Sequence, residues 1–93
     1  MIEKIAKRVS IPEDVMISRV EDEIVLLNLE SEQYFALDDI GARVWELLSE
    51  YGSTDVVVEQ ITTEYDVEPD VFRVDLTKLL TDLQEAGLVT IQD

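Results

Sequence analysis

The side chains of this sequence that are best equipped for chemistry are its 22 aspartates and glutamates. Three groups of them lie close enough along the chain to share a proton or hold a calcium ion: Asp38-Asp39, Glu21-Asp22-Glu23, and Asp66 with Glu68 and Asp70. Structural roles explain these groups better, because Asp38-Asp39 and Asp70 fall at predicted helix starts and Glu21-Asp22-Glu23 falls in a predicted hairpin turn. We therefore expect no catalytic residues among them.

The residue types on which most enzymes and metal sites depend are missing. The sequence has no cysteine and no histidine, which removes thiolate nucleophiles, imidazole bases, disulfides and the usual zinc ligands. Its three glycines form no phosphate-binding loop, and no segment has the spacing of an EF-hand. The sequence predicts a protein that is not an enzyme and that uses no cofactor or metal.

Charge and length narrow the possible partners. Seven basic residues against 22 acidic ones give a net charge of −15, which opposes binding to nucleic acid or to an anionic membrane. Met1–Arg8 contains no apolar run typical of a signal peptide, and no stretch approaches the roughly 20 apolar residues of a membrane span. We expect a cytoplasmic protein with one domain over residues 1–93, of which residues 1–12 form a flexible tail or a first strand.

Alternating apolar residues predict three strands in the first half of the chain, at residues 15–20, 23–29 and 33–37. The strand at 23–29 is apolar on both faces, so we expect it to be central. Polar turns separate neighbouring strands, which predicts an antiparallel meander. We expect one face of the central strand, Val25, Leu27 and Leu29, to form the core with Trp45.

Capping residues and 3.6-residue spacing predict three helices in the second half. The first begins at Asp38 or Asp39 and ends at Gly52. The second begins at Ser53 or Thr54, although its Val56-Val57-Val58 run could equally start a strand. The third begins at Pro69 and ends at Gly87, and residues 88–91 form a short strand or an extended tail. The predicted fold class is α+β, a winged helix-turn-helix-like unit in which a three-stranded antiparallel sheet is followed by three helices.

The strand at 33–37 is the candidate functional element because it forms an edge of the predicted sheet. Edge strands are usually protected by lysine, proline or a bulge, yet Gln33, Tyr34, Phe35, Ala36 and Leu37 include neither lysine nor proline. Such an edge can pair with a guest peptide strand, although the chain's own tail or a second copy could also cover it.

The third helix is predicted to supply the opposite wall of a peptide groove. Phe72, Leu76, Leu79, Leu83 and Ala86 recur at helical spacing and form its predicted core stripe. A mixed band runs beside that stripe at about 100° per residue and consists of Val71, Asp75, Lys78 and Asp82. Such a band suits a peptide with a few apolar anchors, and it is also what an ordinary solvated helix flank looks like.

Four segments carry a resemblance to a known family. They are L-L-N-L-E-S-E-Q-Y-F-A-L-D-D-I-G-A-R-V-W-E-L-L at residues 26–48, Y-D-V at 65–67, F-R-V-D-L-T-K-L-L at 72–80 and L-Q-E-A-G-L-V at 83–89. Together they resemble the PqqD-like family, also called RiPP recognition elements, which are winged-helix domains that bind leader peptides of ribosomally made precursors. Within that family the chain is most similar to the stand-alone leader-binding subunit of lasso-peptide biosynthesis.

The resemblance implies a leader peptide bound as an extra strand, antiparallel to the strand at 33–37 and in a cleft against the third helix. The implied peptide-binding residues are therefore Gln33, Tyr34, Phe35, Ala36, Leu37, Asp75, Lys78, Leu79 and Asp82. The implied partners are the precursor leader peptide, a leader peptidase and an ATP-dependent cyclase. The resemblance also allows a peptide chaperone for a radical-SAM maturase. Alternatives of other classes are a winged-helix DNA-binding regulator, which the acidic charge disfavours, and a dimer paired through the edge strand.

Overall fold

The computed structural model describes residues 8–92. Within this range, five strands and three helices follow one another in the order β1 (Arg8–Ser10), β2 (Val15–Val20), β3 (Glu23–Asn28), β4 (Tyr34–Leu37), α1 (Asp39–Tyr51), α2 (Thr54–Glu64), α3 (Pro69–Glu85) and β5 (Thr90–Gln92). The predicted α+β class and the antiparallel meander β2-β3-β4 are confirmed. Within the described residues, no helix has the length and apolar character needed to cross a membrane.

The ends of the described chain pair with each other. Strand β1 lies antiparallel to β5, with Val9 opposite Ile91. Of the two alternatives for residues 1–12, residues 8–10 adopt the strand, while residues 1–7 lie outside the described part of the chain. The buried Val9 also donates its backbone N–H to the carbonyl of Gly52. This small sheet therefore joins both ends of the described range to the C-terminal end of α1.

Local sequence signals set the helix boundaries. The Asp38 side chain accepts a hydrogen bond from the Gly41 backbone N–H and caps α1, and Gly52 ends that helix in the left-handed conformation. Ser53 caps α2, which resolves the helix-or-strand alternative in favour of a helix. Pro69 occupies the first turn of α3, where its missing N–H costs nothing.

The core lies between the meander and the helices. Helix α1 packs on β3 and β4, and Trp45 is fully buried as predicted. Large buried side chains come from β3, β4, all three helices and the loop after α3: Ile24, Leu26, Leu37, Val44, Trp45, Leu47, Leu48, Val57, Ile61, Phe72, Leu76, Leu80, Leu83 and Leu88.

The predicted core face of β3 is wrong. Ile24 and Leu26 are completely buried, whereas Val25 and Leu27 are half-buried and Leu29 is 53% exposed. Both faces of this strand are apolar, but α1 packs on the face that carries Ile24 and Leu26. The other face is referred to below as the outer face of the sheet.

The predicted core stripe of α3 also needs a correction at one position. Leu80 is buried, while Leu79 is only half-buried and contacts the edge of the core. The buried residues Phe72, Leu76, Leu80 and Leu83 follow spacings of four, four and three, which keep one face of the helix against the core. Leu79 lies one residue to the side of that line and turns toward β4.

Candidate functional site

A groove of about 520 Å³ lies between β4 and α3. This volume falls within the range of about 300–1,000 Å³ that is usual for ligand sites. Its walls and floor come from β4, the start of α1, the α2–α3 linker and α3: Phe35, Ala36, Leu37, Asp38, Ile40, Gly41, Val44, Val67, Val71, Phe72, Asp75, Leu76 and Leu79. The groove is thus mostly apolar, and one of its walls is a strand at the edge of a sheet.

Within residues 8–92, β4 has an unpaired outer edge, because the sheet order is β2-β3-β4. Ladder hydrogen bonds alternate along an antiparallel pair, so one starting bond sets the direction of all the others. The Asn28 N–H donates to the Gln33 carbonyl at 2.8 Å, and Leu26 and Ile24 lie opposite Phe35 and Leu37. The N–H groups of Phe35 and Leu37 therefore point toward β3.

The backbone groups of Tyr34 and Ala36 point the other way, toward the open edge, because these residues form the alternate pairs with Leu27 and Val25. The β2–β3 ladder shows the same alternation of N–H directions. The Leu29 N–H points away from β4 and donates to the Asp14 backbone carbonyl at 2.8 Å. Two N–H and two C=O groups of β4 are thus available to a guest strand.

Asn28 connects the two sides of the groove at one end. Its side-chain oxygen accepts hydrogen bonds from the backbone N–H groups of Glu30, at 2.8 Å, and Ser31, at 3.0 Å, which shapes the turn before β4. Its amide nitrogen donates to the Gly87 carbonyl at 2.6 Å, just beyond the C-terminal end of α3. Gly87 has a φ of +75°, and a Cβ there would lie 2.8 Å from the Asn28 amide nitrogen. The buried Asn28 therefore holds the β3–β4 turn against the end of α3.

A second glycine makes room at the opposite end, where β4 enters α1. A Cβ on Gly41 would lie 3.2 Å from both the Leu37 Cβ and the Asp38 Oδ1 atom. That separation is tighter than ordinary van der Waals contact, so a larger residue would push the start of α1 away from β4. Gly41 keeps α1 close to the strand and lines the groove at the same time.

Helix α3 contributes both core and groove residues from one side. Phe72 and Leu76 are buried, Leu79 is half-buried and Val71 is 59% exposed. When a ligand covers an exposed apolar side chain beside a concave surface, the apolar area removed from water stabilises the complex. Val71 and Leu79 are therefore the α3 side chains that a bound peptide would bury further.

The groove is acidic where it is charged. Among its lining residues the only ionisable side chains are Asp38 and Asp75. Lys78 is exposed on α3, one turn beyond Asp75, and contributes no lining atoms to the groove. A peptide that carries basic residues beside its apolar ones would suit this arrangement.

The predicted site residues divide into two groups in the structure. Phe35, Ala36, Leu37, Asp75 and Leu79 line the groove.

The other four predicted residues lie beside it. Gln33 is in the turn before β4, and Tyr34 is 75% exposed on the outer face of the sheet. Lys78 and Asp82 are exposed on α3. Tyr34 still belongs to the open edge through its backbone. The peptide-binding roles of all nine residues stay predictions.

Several lining residues were not predicted from the sequence. Ile40, Gly41 and Val44 come from α1, and Val67 comes from the linker before α3. Their apolar character signals burial but does not indicate which cavity they border. Val71 was named in the predicted band of α3 but was left out of the predicted site residues, although it is the one apolar residue of that band.

A smaller, polar depression lies on the opposite side of α1 and is occupied by ion pairs. The Arg43 guanidinium donates to both Glu64 carboxylate oxygens, at 2.7 and 2.9 Å, and joins α1 to α2. This hydrogen-bonded pairing lowers the pKa of Glu64 and raises that of Arg43. Arg19 pairs with Glu46 at 2.9 Å. Arg19 and Arg43 are thus both paired with carboxylates of this chain.

No metal centre is evident in the part of the chain that the structure describes, where no three carboxylates cluster as potential ligands. The largest carboxylate groups of the sequence instead cap helices or occupy turns. Asp38 caps α1, and Glu21, with a positive φ of 57°, lies in the β2–β3 turn.

Comparison with known proteins identifies the family of this fold. Residues 23–89, from β3 to the end of the α3–β5 loop, match the family model described as coenzyme PQQ synthesis protein D (PqqD). The chain belongs to the PqqD family. The predicted family membership is therefore confirmed, and with it the winged-helix-like fold. A comparison with curated protein sequences gave no match.

Two solved structures resemble this PqqD-family chain over most of their length. TbiB1 in complex with the TbiA(beta) leader peptide is 35% identical, with a TM-score of 0.80, covering 85% of this chain and 92% of that one. Lasso peptide synthetase B1 complexed with the leader peptide is 26% identical, also with a TM-score of 0.80, covering 89% of this chain and 98% of that one. Both similar proteins bind a leader peptide.

Proposed function

We propose that this chain is a non-catalytic protein that captures the leader segment of a ribosomally made precursor by adding it as a strand to the open edge of β4. The observation that carries the proposal is the backbone of Tyr34 and Ala36, which no other strand of the described residues pairs on its outer edge and which lies beside an apolar groove. Strand addition uses such an edge for affinity and side-chain pockets for register. The leader-bound state of the two similar proteins supports the same use of the fold.

Main-chain pairing alone would accept many sequences, so the groove must select the peptide. Side chains of a strand alternate between its two faces. Every second residue of a leader strand next to β4 would therefore enter the groove between Phe35 and Leu79, while its neighbours would project on the outer face beside Tyr34. We expect apolar leader residues two positions apart, and we expect Asp75 and Lys78 to orient polar groups of the leader.

An isotope-edited NMR titration with the leader encoded beside this gene tests the proposal. Amide signals of β4 and of the groove-lining side of α3 should shift most. Hydrogen exchange adds a sharper criterion, because the Tyr34 and Ala36 amides should become protected on binding while the Phe35 amide, already paired with β3, should change little. Shifts confined to α2, or protection that does not alternate along β4, would contradict strand addition.

The enzymes that act on the bound precursor are part of the same proposal. For a lasso-peptide system they are a leader peptidase and an ATP-dependent cyclase, and this chain would hold the leader while they process the attached core. The PqqD match favours a second candidate of the same kind, a peptide chaperone for a radical-SAM maturase. The genes next to this one distinguish the two: a peptidase and cyclase pair supports the first, and a radical-SAM enzyme supports the second.

A further inference from the structure

The outer face of the three-stranded sheet is apolar and solvent-exposed. Strand alternation and the observed register place eight residues of β2, β3 and β4 on it: Met16, Ser18, Val20, Glu23, Val25, Leu27, Tyr34 and Ala36. Met16, Leu27 and Tyr34 lie directly opposite one another and form an apolar row across the sheet. Met16 is 51%, Val20 57% and Tyr34 75% exposed. A contiguous apolar surface of this kind marks an interaction site.

Acidic residues border this face at both ends of the strands. Glu23 lies on the face itself beside the β2–β3 turn, and Glu30 and Glu32 lie at the β3–β4 turn. The other two acidic residues of the β2–β3 turn, Glu21 and Asp22, line the polar depression beside α1. The outward-facing residues of the three strands include no lysine or arginine.

The single cation of these strands is directed elsewhere. Arg19 lies opposite the buried Ile24, and its guanidinium pairs with Glu46 of α1. The face therefore combines an apolar centre with an acidic border, which complements a partner with an apolar patch bordered by lysine or arginine.

A second copy of this chain fits the face poorly. Two such faces in contact would bring together the acidic borders of molecules that each carry a net charge of −15. The required basic border has to come from a different protein.

The face is also continuous with the leader-binding edge. Tyr34 and Ala36 present their side chains on the outer face and their backbone groups to the open edge of β4. A leader strand paired with β4 would widen the sheet, and its alternate side chains would extend the outer face. A protein that docks there would contact this chain and the bound leader together.

We propose that the outer face is the docking surface for the basic-bordered enzyme that receives the leader-bound precursor. This inference rests on the proposed function for the identity of its partner. The leader occupies the groove side and edge of β4, and the enzyme covers the opposite side of the sheet. Delivery then needs no release of the leader.

The chain provides a matched pair of substitutions for the test. Met16→Lys places a cation on the outer face, whereas Ile17→Lys places one on the same strand but on the opposite face, at a nearly equal exposure of 48%. Both sites are on β2 and separated from β4 by β3. Circular dichroism verifies that each variant folds, and Val20→Lys serves as a second outer-face variant.

Surface plasmon resonance then measures binding of the purified leader peptidase encoded beside this gene, with and without leader. We expect Met16→Lys and Val20→Lys to weaken peptidase binding about tenfold or more, with leader affinity within about twofold and with Ile17→Lys close to wild type. Wild-type binding should weaken between about 0.05 and 0.5 M salt, since its border is charged.

Three results would overturn the inference: no peptidase binding to the wild type, equal effects of Met16→Lys and Ile17→Lys, or a dimer in sedimentation that Met16→Lys dissociates. Loss of the proposed function looks different. If the leader does not bind but the peptidase still binds the outer face of the wild type and not of Met16→Lys, leader capture is refuted and the docking surface stands.

Discussion

Replacing Ala36 by proline is the most direct test of how this chain recognises a peptide. The Ala36 N–H points to the open edge, so proline removes one of the two β4 donors available to a guest strand. The β3–β4 ladder keeps all its bonds, because Ala36 and Val25 form one of the pairs that do not exchange hydrogen bonds. Edge strands tolerate proline at such positions, and we expect the variant to fold.

The size of the effect follows from the group that loses its partner. A leader carbonyl left without a donor inside the complex costs about 1–3 kcal/mol. At about 1.4 kcal/mol for each tenfold change, the dissociation constant of the leader should rise about 5- to 140-fold. The proline ring also occupies space at the edge, which places the expected value toward the upper end of this range.

Isothermal titration calorimetry with the leader peptide measures the change in affinity, and thermal unfolding by circular dichroism monitors the fold. Ala36→Ser is the matched control, because serine at the same position keeps the N–H that faces the open edge, and it should leave the dissociation constant close to that of the wild type. Phe35→Pro is a contrasting variant whose lost N–H points toward β3, so it should lower the free energy of unfolding by about 1–3 kcal/mol through the lost ladder bond. Because that variant also removes a side chain that lines the groove, it tests the ladder through thermal unfolding and not through leader affinity.

The peptide offers an independent version of the same experiment. N-methylation at successive leader residues should weaken binding at every second position, since only alternate N–H groups of a paired strand face its partner. A folded Ala36→Pro protein that binds the leader with unchanged affinity, together with a flat N-methylation profile, would refute strand addition to β4.

Further predictions concern the groove wall, the turn and the helix pair. Leu79→Ala should raise the leader dissociation constant by about 5- to 30-fold through lost apolar contact, measured by calorimetry, while the control Val74→Ala, 69% exposed on α3, should leave it unchanged. Asn28→Ala should lower the free energy of unfolding by about 1–3 kcal/mol in urea, because it leaves partly buried backbone groups of Glu30 and Gly87 without their partners; an unchanged midpoint would refute its linking role. Arg43 lowers the pKa of Glu64, so their pairing stabilises the fold above the unfolded carboxylate pKa and is lost as pH falls through the lower folded pKa. Glu64→Gln should therefore show a smaller loss of stability on acidification than wild type, and an identical pH profile would contradict the pairing.

Much of the secondary structure is readable from the sequence, since its signals are local. Asp38, Gly52, Ser53 and Pro69 lie at the helix boundaries that their chemistry predicts. The alternation in residues 15–37 likewise predicts the meander and its edge strand. Two walls of the groove, β4 and α3, could therefore be predicted, because an edge strand and an amphipathic helix both have recognisable sequence patterns.

The rest of the groove depends on contacts between distant segments. Asn28 and Gly87 are 59 residues apart, yet their hydrogen bond holds the turn against the end of α3. Val67 and Gly41 reach the groove from a linker and from α1, and no local pattern relates them to Phe35. The sequence predicted Leu79 in the core stripe of α3, but the buried residue is its neighbour Leu80. A difference of one residue turns the Leu79 side chain from the core to the groove.

The sequence by itself determined the three strands of the meander and the first and third helices, the lack of cysteine and histidine, and an acidic charge that disfavours nucleic acid. It also indicated that β4 is an edge strand without a protecting lysine or proline. Tertiary structure alone decided that Ile24 and Leu26, rather than Val25 and Leu27, are buried, because both faces of β3 are apolar and only the position of α1 distinguishes them. The ladder phase decided that Tyr34 and Ala36, rather than Phe35, carry the free backbone groups. Periodicity is a property of a segment, whereas burial and pairing depend on what packs against it.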